Sequence, residues 1–132
     1  RGILEVQSMI RGTITGLREA VIRFSVGRPG GQEQEVQAVI DTGFNGYLTL
    51  PDSLVARLGL PYHSRTTAIL GDGSSRVLGQ YEAVVVWSGQ ERDVLVLAAE
   101  GGPLVGMAML YGHDVFLNVI EGGRVTIQAV SP

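Results

Sequence analysis

Cysteine is absent from the 132-residue sequence, and charged residues make up only 17% of it. Without cysteine the chain has no disulfide, no thiolate metal site and no cysteine nucleophile. The net charge of −3 supplies no basic field for nucleic acid or for an anionic lipid surface, so neither is an expected partner. No apolar run approaches the roughly 18 residues of a membrane-spanning helix, so no membrane span is predicted.

Hydrophobic residues make up 45% of the sequence, which is typical of a globular domain and too apolar for a disordered chain. The length fits one domain covering residues 1–132. The sequence begins at Arg1 rather than Met, as expected of a fragment or a processed chain. No basic segment followed by an apolar stretch opens the sequence, and a cytoplasmic location is predicted.

Nineteen glycines separate short segments rich in Val, Ile and Leu, a pattern typical of many short strands joined by tight turns. Glycines in the turns at 28–32, 71–74, 88–91 and 121–123 favour hairpins, so most neighbouring strands should be antiparallel. The predicted strands cover residues 9–15, 18–26, 35–41, 47–50, 66–70, 76–87, 92–98, 114–119 and 124–130.

Two short helices are predicted between the strands. Pro51 and Asp52 suit a helix start and Gly59 suits a C-terminal cap, while a second helix runs from Met107 to Gly112. The expected fold class is therefore all-β with two short helices.

Several kinds of chemistry find no support in the sequence. The G-x-S-x-G elbow of a serine hydrolase is missing. His63 and His113 have no metal-ligand spacing, so a surface or turn position is expected for each. The GGPLVG stretch at 101–106 lacks the Lys-Ser/Thr pair of a phosphate-binding loop. No metal and no cofactor are predicted.

The segment AVIDTG at 38–43 ends an apolar run on a carboxylate, Asp41. Asp-Thr-Gly alone is a common turn, because Asp caps turns and Gly supplies their unusual dihedrals. A second apolar stretch, Leu104-Val105, likewise ends in a glycine, Gly106. The pairing of the two segments is what favours a functional site.

These residues resemble the retropepsin-like aspartic proteases, the single-domain relatives of pepsin, and especially their short bacterial members. The resemblance covers most of the chain: Val-Ile-Asp-Thr-Gly at 39–43, a flap hairpin, and Leu-Val-Gly at 104–106 followed by a short helix occur in the family's order. The extension FNGYLTLP at 44–51 is similar to the bacterial members. Phe44 departs from the Ala or Ser that retroviral and pepsin-type enzymes usually carry there. The resemblance implies a closed β-barrel that forms one half of a pepsin-type active site.

Hydrolysing an amide with water needs one group that takes a proton and another that polarises the carbonyl. Two carboxyls about 3 Å apart can share a proton and do both. The sequence has only one Asp-Thr-Gly, and its other aspartates are predicted in a helix start, a turn, a strand start and a segment after a helix: Asp52, Asp72, Asp93 and Asp114. The second carboxyl should therefore come from another copy, since a twofold homodimer places Asp41 opposite itself.

The resemblance assigns the remaining site residues. Thr42 would bond across the dimer axis, and Gly43 would support the carboxylate. Residues 104–106 would pack beneath the loop as scaffold. A flap at 66–78 would close over a polypeptide substrate, although a plain surface hairpin is an equally good interpretation of that segment. The flap and substrate-binding residues would be Ile69, Leu70, Gly71, Asp72 and Gly73, and Phe44 and Val105 join Ile69 and Leu70 as candidate subsite walls.

Three functions are compatible with the sequence. The first is a homodimeric aspartic endopeptidase that uses Asp41 and water. The second is a catalytically quiet relative that serves as a dimerisation or peptide-binding module. The third is an unrelated β-barrel binding domain in which AVIDTG is an ordinary strand and turn. A fold that lacks convergence of residues 41–43 with residues 104–106 would establish the third.

Overall fold

The structure is a computed structural model that describes residues 9–69 and 72–130, and these form ten strands and two short helices. The strands are β1 (Ile10–Ile14), β2 (Ala20–Gly27), β3 (Glu33–Ile40), β4 (Leu48–Leu50), β5 (Tyr62–Ile69), β6 (Ser75–Trp87), β7 (Gln90–Ala98), β8 (Leu104–Val105), β9 (His113–Leu117) and β10 (Arg124–Ala129). The helices are α1 (Asp52–Leu58) and α2 (Met107–Leu110). The predicted all-β class with two short helices is confirmed.

All ten strands belong to one sheet, in the order β5-β6-β7-β4-β8-β3-β2-β1-β10-β9. The long strand β6 also pairs with β2, so the six strands from β6 through β2 close into a ring. Most pairs are antiparallel, as the turn glycines predicted, and β3–β8 and β4–β7 are the two parallel pairs among them. Closure of the ring gives its strands an inner face, and it brings strands that are distant in sequence side by side.

The core consists of buried residues from the ring strands, from β1 and β10 and from both helices. Strands β6 and β7 each alternate buried and half-buried positions over their last five residues, which is the period of two that a strand imposes. Trp87 at the end of β6 is only 1% exposed, and its ring meets that of Phe24 edge to face at 5.7 Å. The indole N–H donates to Nε2 of His113 at 3.1 Å, which satisfies its polar end.

Helix α1 begins at Asp52 and ends before Gly59, as predicted from the sequence. Pro51 precedes it in an extended conformation, and Gly59 follows it with φ at +65°, a left-handed conformation that favours glycine. Leu54 and Val55 are buried and anchor the helix to the core. Among the described residues, no helix is long and apolar enough to cross a membrane.

Three features of the strands differ from the sequence prediction. Residues 104–105 form a strand, β8, which had been expected only as an apolar stretch. Strand β5 begins at residue 62 rather than 66, because its polar first half pairs with β6 through a bulge. Strand β9 ends at residue 117, because Asn118 turns back and donates its N–H to the carbonyl of Arg124.

Candidate active site

Asp41 directly follows β3 and is fixed by its backbone on both sides. Its N–H donates to the carbonyl of Val105 at 2.9 Å, and its carbonyl accepts from the N–H of Phe44 at 3.1 Å. Its half-buried carboxylate accepts, through Oδ1, the N–H of Gly43 at 3.0 Å. The carboxylate therefore has a defined orientation at the end of a strand, with Oδ1 engaged.

Strand β8 lies between β3 and β4 and forms the support behind Asp41. Its residues pair in parallel with β3, with Ile40 opposite Val105, and antiparallel with β4. The N–H of Leu104 donates to Oγ1 of Thr49 at 3.0 Å, and Thr49 is a buried polar residue on β4. Because parallel strands end at the same edge of a sheet, Asp41 and Gly106 emerge side by side.

The start of α2 is bonded to the loop that follows Asp41. The N–H groups of Gly106, Met107 and Ala108 donate to the carbonyls of residues 47, 44 and 46, at 3.0, 2.8 and 3.1 Å. The first N–H groups of a helix have no partner within it, so these loop carbonyls satisfy them. A Cβ on Gly106 would lie 2.3 Å from the carbonyl oxygen of Gly46, so only glycine fits this contact without displacement.

Phe44 packs against the loop itself. Added Cβ atoms at Gly46 and Gly106 would lie 2.6 and 2.5 Å from its ring, so the ring covers both glycines. The bulky residue fits at this position because its two neighbours have no side chains. Phe44 is half-buried.

The predicted flap segment forms a β-hairpin from strands β5 and β6. Ile69 opposite Ser75 is the last pair of its ladder. At the tip, Oδ1 of Asp72 accepts the N–H of Ser74 at 2.9 Å and its hydroxyl at 2.6 Å, and these hydrogen bonds lower the pKa of Asp72. Gly73 has φ at +85°. Leu70 and Gly71 lie outside the described residues.

The structure brings residues 41–43 together with residues 104–106, so AVIDTG is more than an isolated strand and turn. Thr42 and Gly43 are exposed beside the carboxylate. Val105 is 0% exposed, so its side chain does not form the subsite wall that was predicted for it. Ile69, in contrast, is 80% exposed on the hairpin.

Two residues around this site had no sequence signal of a role. Thr49 lies in a short apolar strand and looked like an ordinary β residue. Arg92 on β7 donates from Nη1 to the carbonyl of Met109 at 3.1 Å, and its guanidinium carbon lies 5.9 Å from the centre of the Tyr47 ring. The hydrogen bond between Thr49 and Leu104 and that between Arg92 and Met109 each join residues more than 15 positions apart.

A cleft of about 770 Å³ lies elsewhere, between the turn that joins β2 to β3 and the end of α1. It is lined by Arg28, Arg57, Glu33 and neighbouring residues. Glu33 begins β3 and Asp41 follows its other end, so roughly 26 Å of strand separates them at about 3.3 Å per residue. The cleft is not part of the Asp41 site.

In this chain, a strand that ends at a carboxylate, a parallel strand beside it and a short helix behind it form the candidate site. The chain is similar to the crystal structure of a retropepsin-like aspartic protease from Rickettsia conorii, with a TM-score of 0.58 over 93% of each chain. The chain has the retropepsin-like fold. Sequence identity to that protein is 14%, so the similarity concerns the fold. Comparisons with family models and with curated protein sequences find no match.

Within the retropepsin-like fold, a function must be argued from the site itself. The residues available for chemistry are one carboxylate with a fixed orientation, the exposed Thr42 and Gly43, and a hairpin with an ordered turn at residues 72–74. This set can position water and a carbonyl group once a second carboxyl is supplied.

Proposed function

We propose that this chain is an aspartic endopeptidase that is active as a homodimer and hydrolyses peptide bonds between two Asp41 carboxyls. The observation that carries the proposal is the Asp41 carboxylate itself. It is oriented by the N–H of Gly43 at 3.0 Å, at the end of a strand supported by β8 and α2. The retropepsin-like fold supports the proposal, because the similar structure is that of a retropepsin-like aspartic protease.

The chemistry needs both carboxyls in different protonation states. Two carboxyls at about 3 Å share one proton, because both cannot ionise so close together. The ionised one takes a proton from water as it attacks the peptide carbonyl, and the protonated one donates to the carbonyl oxygen. The pair titrates as a unit, so neither copy of Asp41 can be assigned the role of acid or of base alone. The proposed mechanism uses no metal or organic cofactor.

The second carboxyl must come from another copy because the other aspartates lie elsewhere. All four are exposed, and none belongs to the Asp41 loop, β8 or α2: Asp52 is in α1, Asp72 in the hairpin tip, Asp93 in β7 and Asp114 in β9. An isologous dimer places identical residues across its twofold axis. Thr42, exposed beside Asp41, is then available to bond across that axis.

The hairpin of β5 and β6 acts in this proposal as the flap over a polypeptide substrate. An extended peptide would bind through main-chain hydrogen bonds, with alternate side chains in pockets. The proposed contact residues are 69–73, and the exposed side chain of Ile69 offers an apolar contact. Closure of such a hairpin would exclude bulk water from the site while the attacking water stays between the carboxyls.

The decisive experiment is digestion of a peptide library across a range of pH by the wild type and by Asp41→Asn. The asparagine keeps the shape of the side chain and removes the ionisable group, so cleavage should be lost while circular dichroism stays unchanged. Asp93→Asn is the matched control, because it removes an exposed aspartate of β7 and should cleave normally. Undiminished cleavage by folded Asp41→Asn would reject the mechanism. An inert wild type that still dimerises would favour the dimerisation or peptide-binding module.

The dimer is tested separately by dilution. If the site needs two copies, activity per chain should fall as the concentration drops through the dimer dissociation constant. Sedimentation velocity at the same concentrations gives the fraction of dimer. A monomer with full activity at every dilution would exclude the shared site.

A further inference from the structure

Arg92 makes contacts that its position on an ordinary strand does not require. It lies in β7 with its side chain half-buried, and Nη1 is 3.1 Å from the carbonyl oxygen of Met109 and 3.6 Å from its sulfur. Its guanidinium carbon lies 5.9 Å from the centre of the Tyr47 ring, within the range of a cation–π contact. One guanidinium therefore contacts both the helix behind Asp41 and the loop in front of that helix.

Helix α2 depends on contacts from outside because it has only four residues. A single helical turn is not stable alone, and its last carbonyls have no partner within the helix. Met109 and Leu110 are buried and anchor the helix in the core. Within the described residues, Arg92 is the one side chain that donates a hydrogen bond to this helix, and a cation suits its carbonyl end.

The N-terminal end of the same helix holds the Asp41 loop. Its N–H groups bond to the carbonyls of residues 44, 46 and 47, and the N–H of Phe44 bonds to the carbonyl of Asp41. A shift of α2 along or about its axis would thus be passed to the backbone of residues 41–47. Arg92 opposes such a shift because it contacts the far end of α2 and the Tyr47 ring together.

We infer that Arg92 is a positioning residue, which fixes α2 against Tyr47 and thereby holds the Asp41 loop in its reactive orientation. The inference rests on the proposed peptidase function for its kinetic consequence, but its structural consequence can be measured without catalysis. Arginine suits the role better than lysine, since its flat guanidinium can face an aromatic ring while an N–H bonds the carbonyl. Lysine can keep only the hydrogen bond, so Arg92→Lys should retain part of the effect.

The kinetic test compares Arg92→Ala and Arg92→Lys with Arg23→Ala, which removes an exposed arginine of β2. Misplacing a reacting group by about 1 Å can cost roughly a hundredfold in rate. We expect kcat to fall about ten- to a hundredfold in Arg92→Ala and less in Arg92→Lys, while KM changes little because Arg92 is not among the proposed substrate-contact residues. An unchanged kcat, or a rise in KM with kcat preserved, would overturn the inference.

The second readout is amide hydrogen exchange by NMR, which needs no substrate. Arg92→Ala should lower protection about tenfold or more at the amides of Asp41, Met107 and Ala108, and leave the β10 amides of Val125 and Ile127 unchanged. Two results would overturn the inference. One is unchanged exchange at Asp41, Met107 and Ala108 in Arg92→Ala. The other is an equal rise in the exchange rate at all five amides in both Arg92→Ala and Arg23→Ala. An inactive wild type would reject the peptidase proposal, and the exchange experiment would then decide the role of Arg92 alone. Arg92→Lys decides it where the alanine variant does not fold.

Discussion

Replacing Gly106 with alanine tests the contact on which the Asp41 loop depends. The backbone at Gly106, with φ at −105° and ψ at −178°, is extended, so alanine adopts it without strain. The added methyl group, however, would lie 2.3 Å from the carbonyl oxygen of Gly46 and 2.6 Å from that of Phe44. The cost of the substitution is therefore steric, and it falls on two carbonyl groups that hold the start of α2.

The size of this cost follows from how far those carbonyls must move. To reach ordinary contact they must retreat by about 1 Å, which breaks their hydrogen bonds with Ala108 and Met107, now 3.1 and 2.8 Å long. Each lost bond costs about 0.5 to 1.5 kcal/mol, and an extra methyl group in a packed site costs about 1 to 3 kcal/mol. The cost of the lost hydrogen bonds and the cost of the extra methyl group describe the same strain and are not added together. We therefore expect the free energy of unfolding to drop by about 1 to 3 kcal/mol.

Gly102→Ala is the matched control, because nothing lies within 4 Å of a Cβ at Gly102 and its φ is not in the left-handed region. Both variants share the gain of about 0.4 to 1 kcal/mol from a less flexible unfolded chain. Their melting temperatures should therefore differ by about 3 to 15 °C, at roughly 3 to 5 °C per kcal/mol for a domain of this size. The assay is thermal unfolding followed by circular dichroism, with peptide cleavage measured in parallel. Equal melting temperatures would refute the close approach at Gly106.

Three further outcomes are expected. Thr49→Val, which keeps the side-chain shape, removes the acceptor of the half-buried Leu104 N–H and should lower the free energy of unfolding in urea by about 1 to 3 kcal/mol, whereas Thr49→Ser should cost less. His113→Leu leaves the indole N–H of Trp87 without its partner and should cost a similar amount, measured by the fluorescence of this single tryptophan. The pKa of Asp72 is lowered by its bonds from Ser74, so their stabilisation of the hairpin tip is present above the ordinary value of 3.8 and is lost as pH falls through the lowered pKa. NMR of the Ser74 amide across that range checks it, and an unchanged amide below the lowered pKa would contradict it.

The turns and α1 could be predicted because each depends on a few adjacent residues. Four turns named from their glycines each contain a glycine with positive φ: Gly30, Gly73, Gly89 and Gly122. Gly59 ends α1 for the same reason. Positive φ is open to glycine and costly for most other residues, so the local sequence suffices to place these features.

Strand β8 and the role of His113 could not be predicted, because each depends on partners distant in sequence. Two residues are too few to show any periodicity, and β8 exists because β3 and β4 pair with it on both sides. His113 was expected at the surface or in a turn. It lies half-buried in β9, where it accepts a hydrogen bond from Trp87, 26 residues away. The contact of Arg92 with Met109 was missed for the same reason.

The frame around Asp41 is built mainly from backbone hydrogen bonds and so makes few demands on side chains. Asp41, Phe44, Gly106, Met107 and Ala108 are joined to one another and to their neighbours by backbone N–H and carbonyl groups, which every residue except proline supplies in full. The side chains that this frame requires are few: the carboxylate itself, and glycine where the backbones come closest. Elsewhere the sequence is free to change as long as the strands keep their buried faces. A short motif therefore carries most of the information that identifies the site, while the remaining residues encode the sheet that holds it.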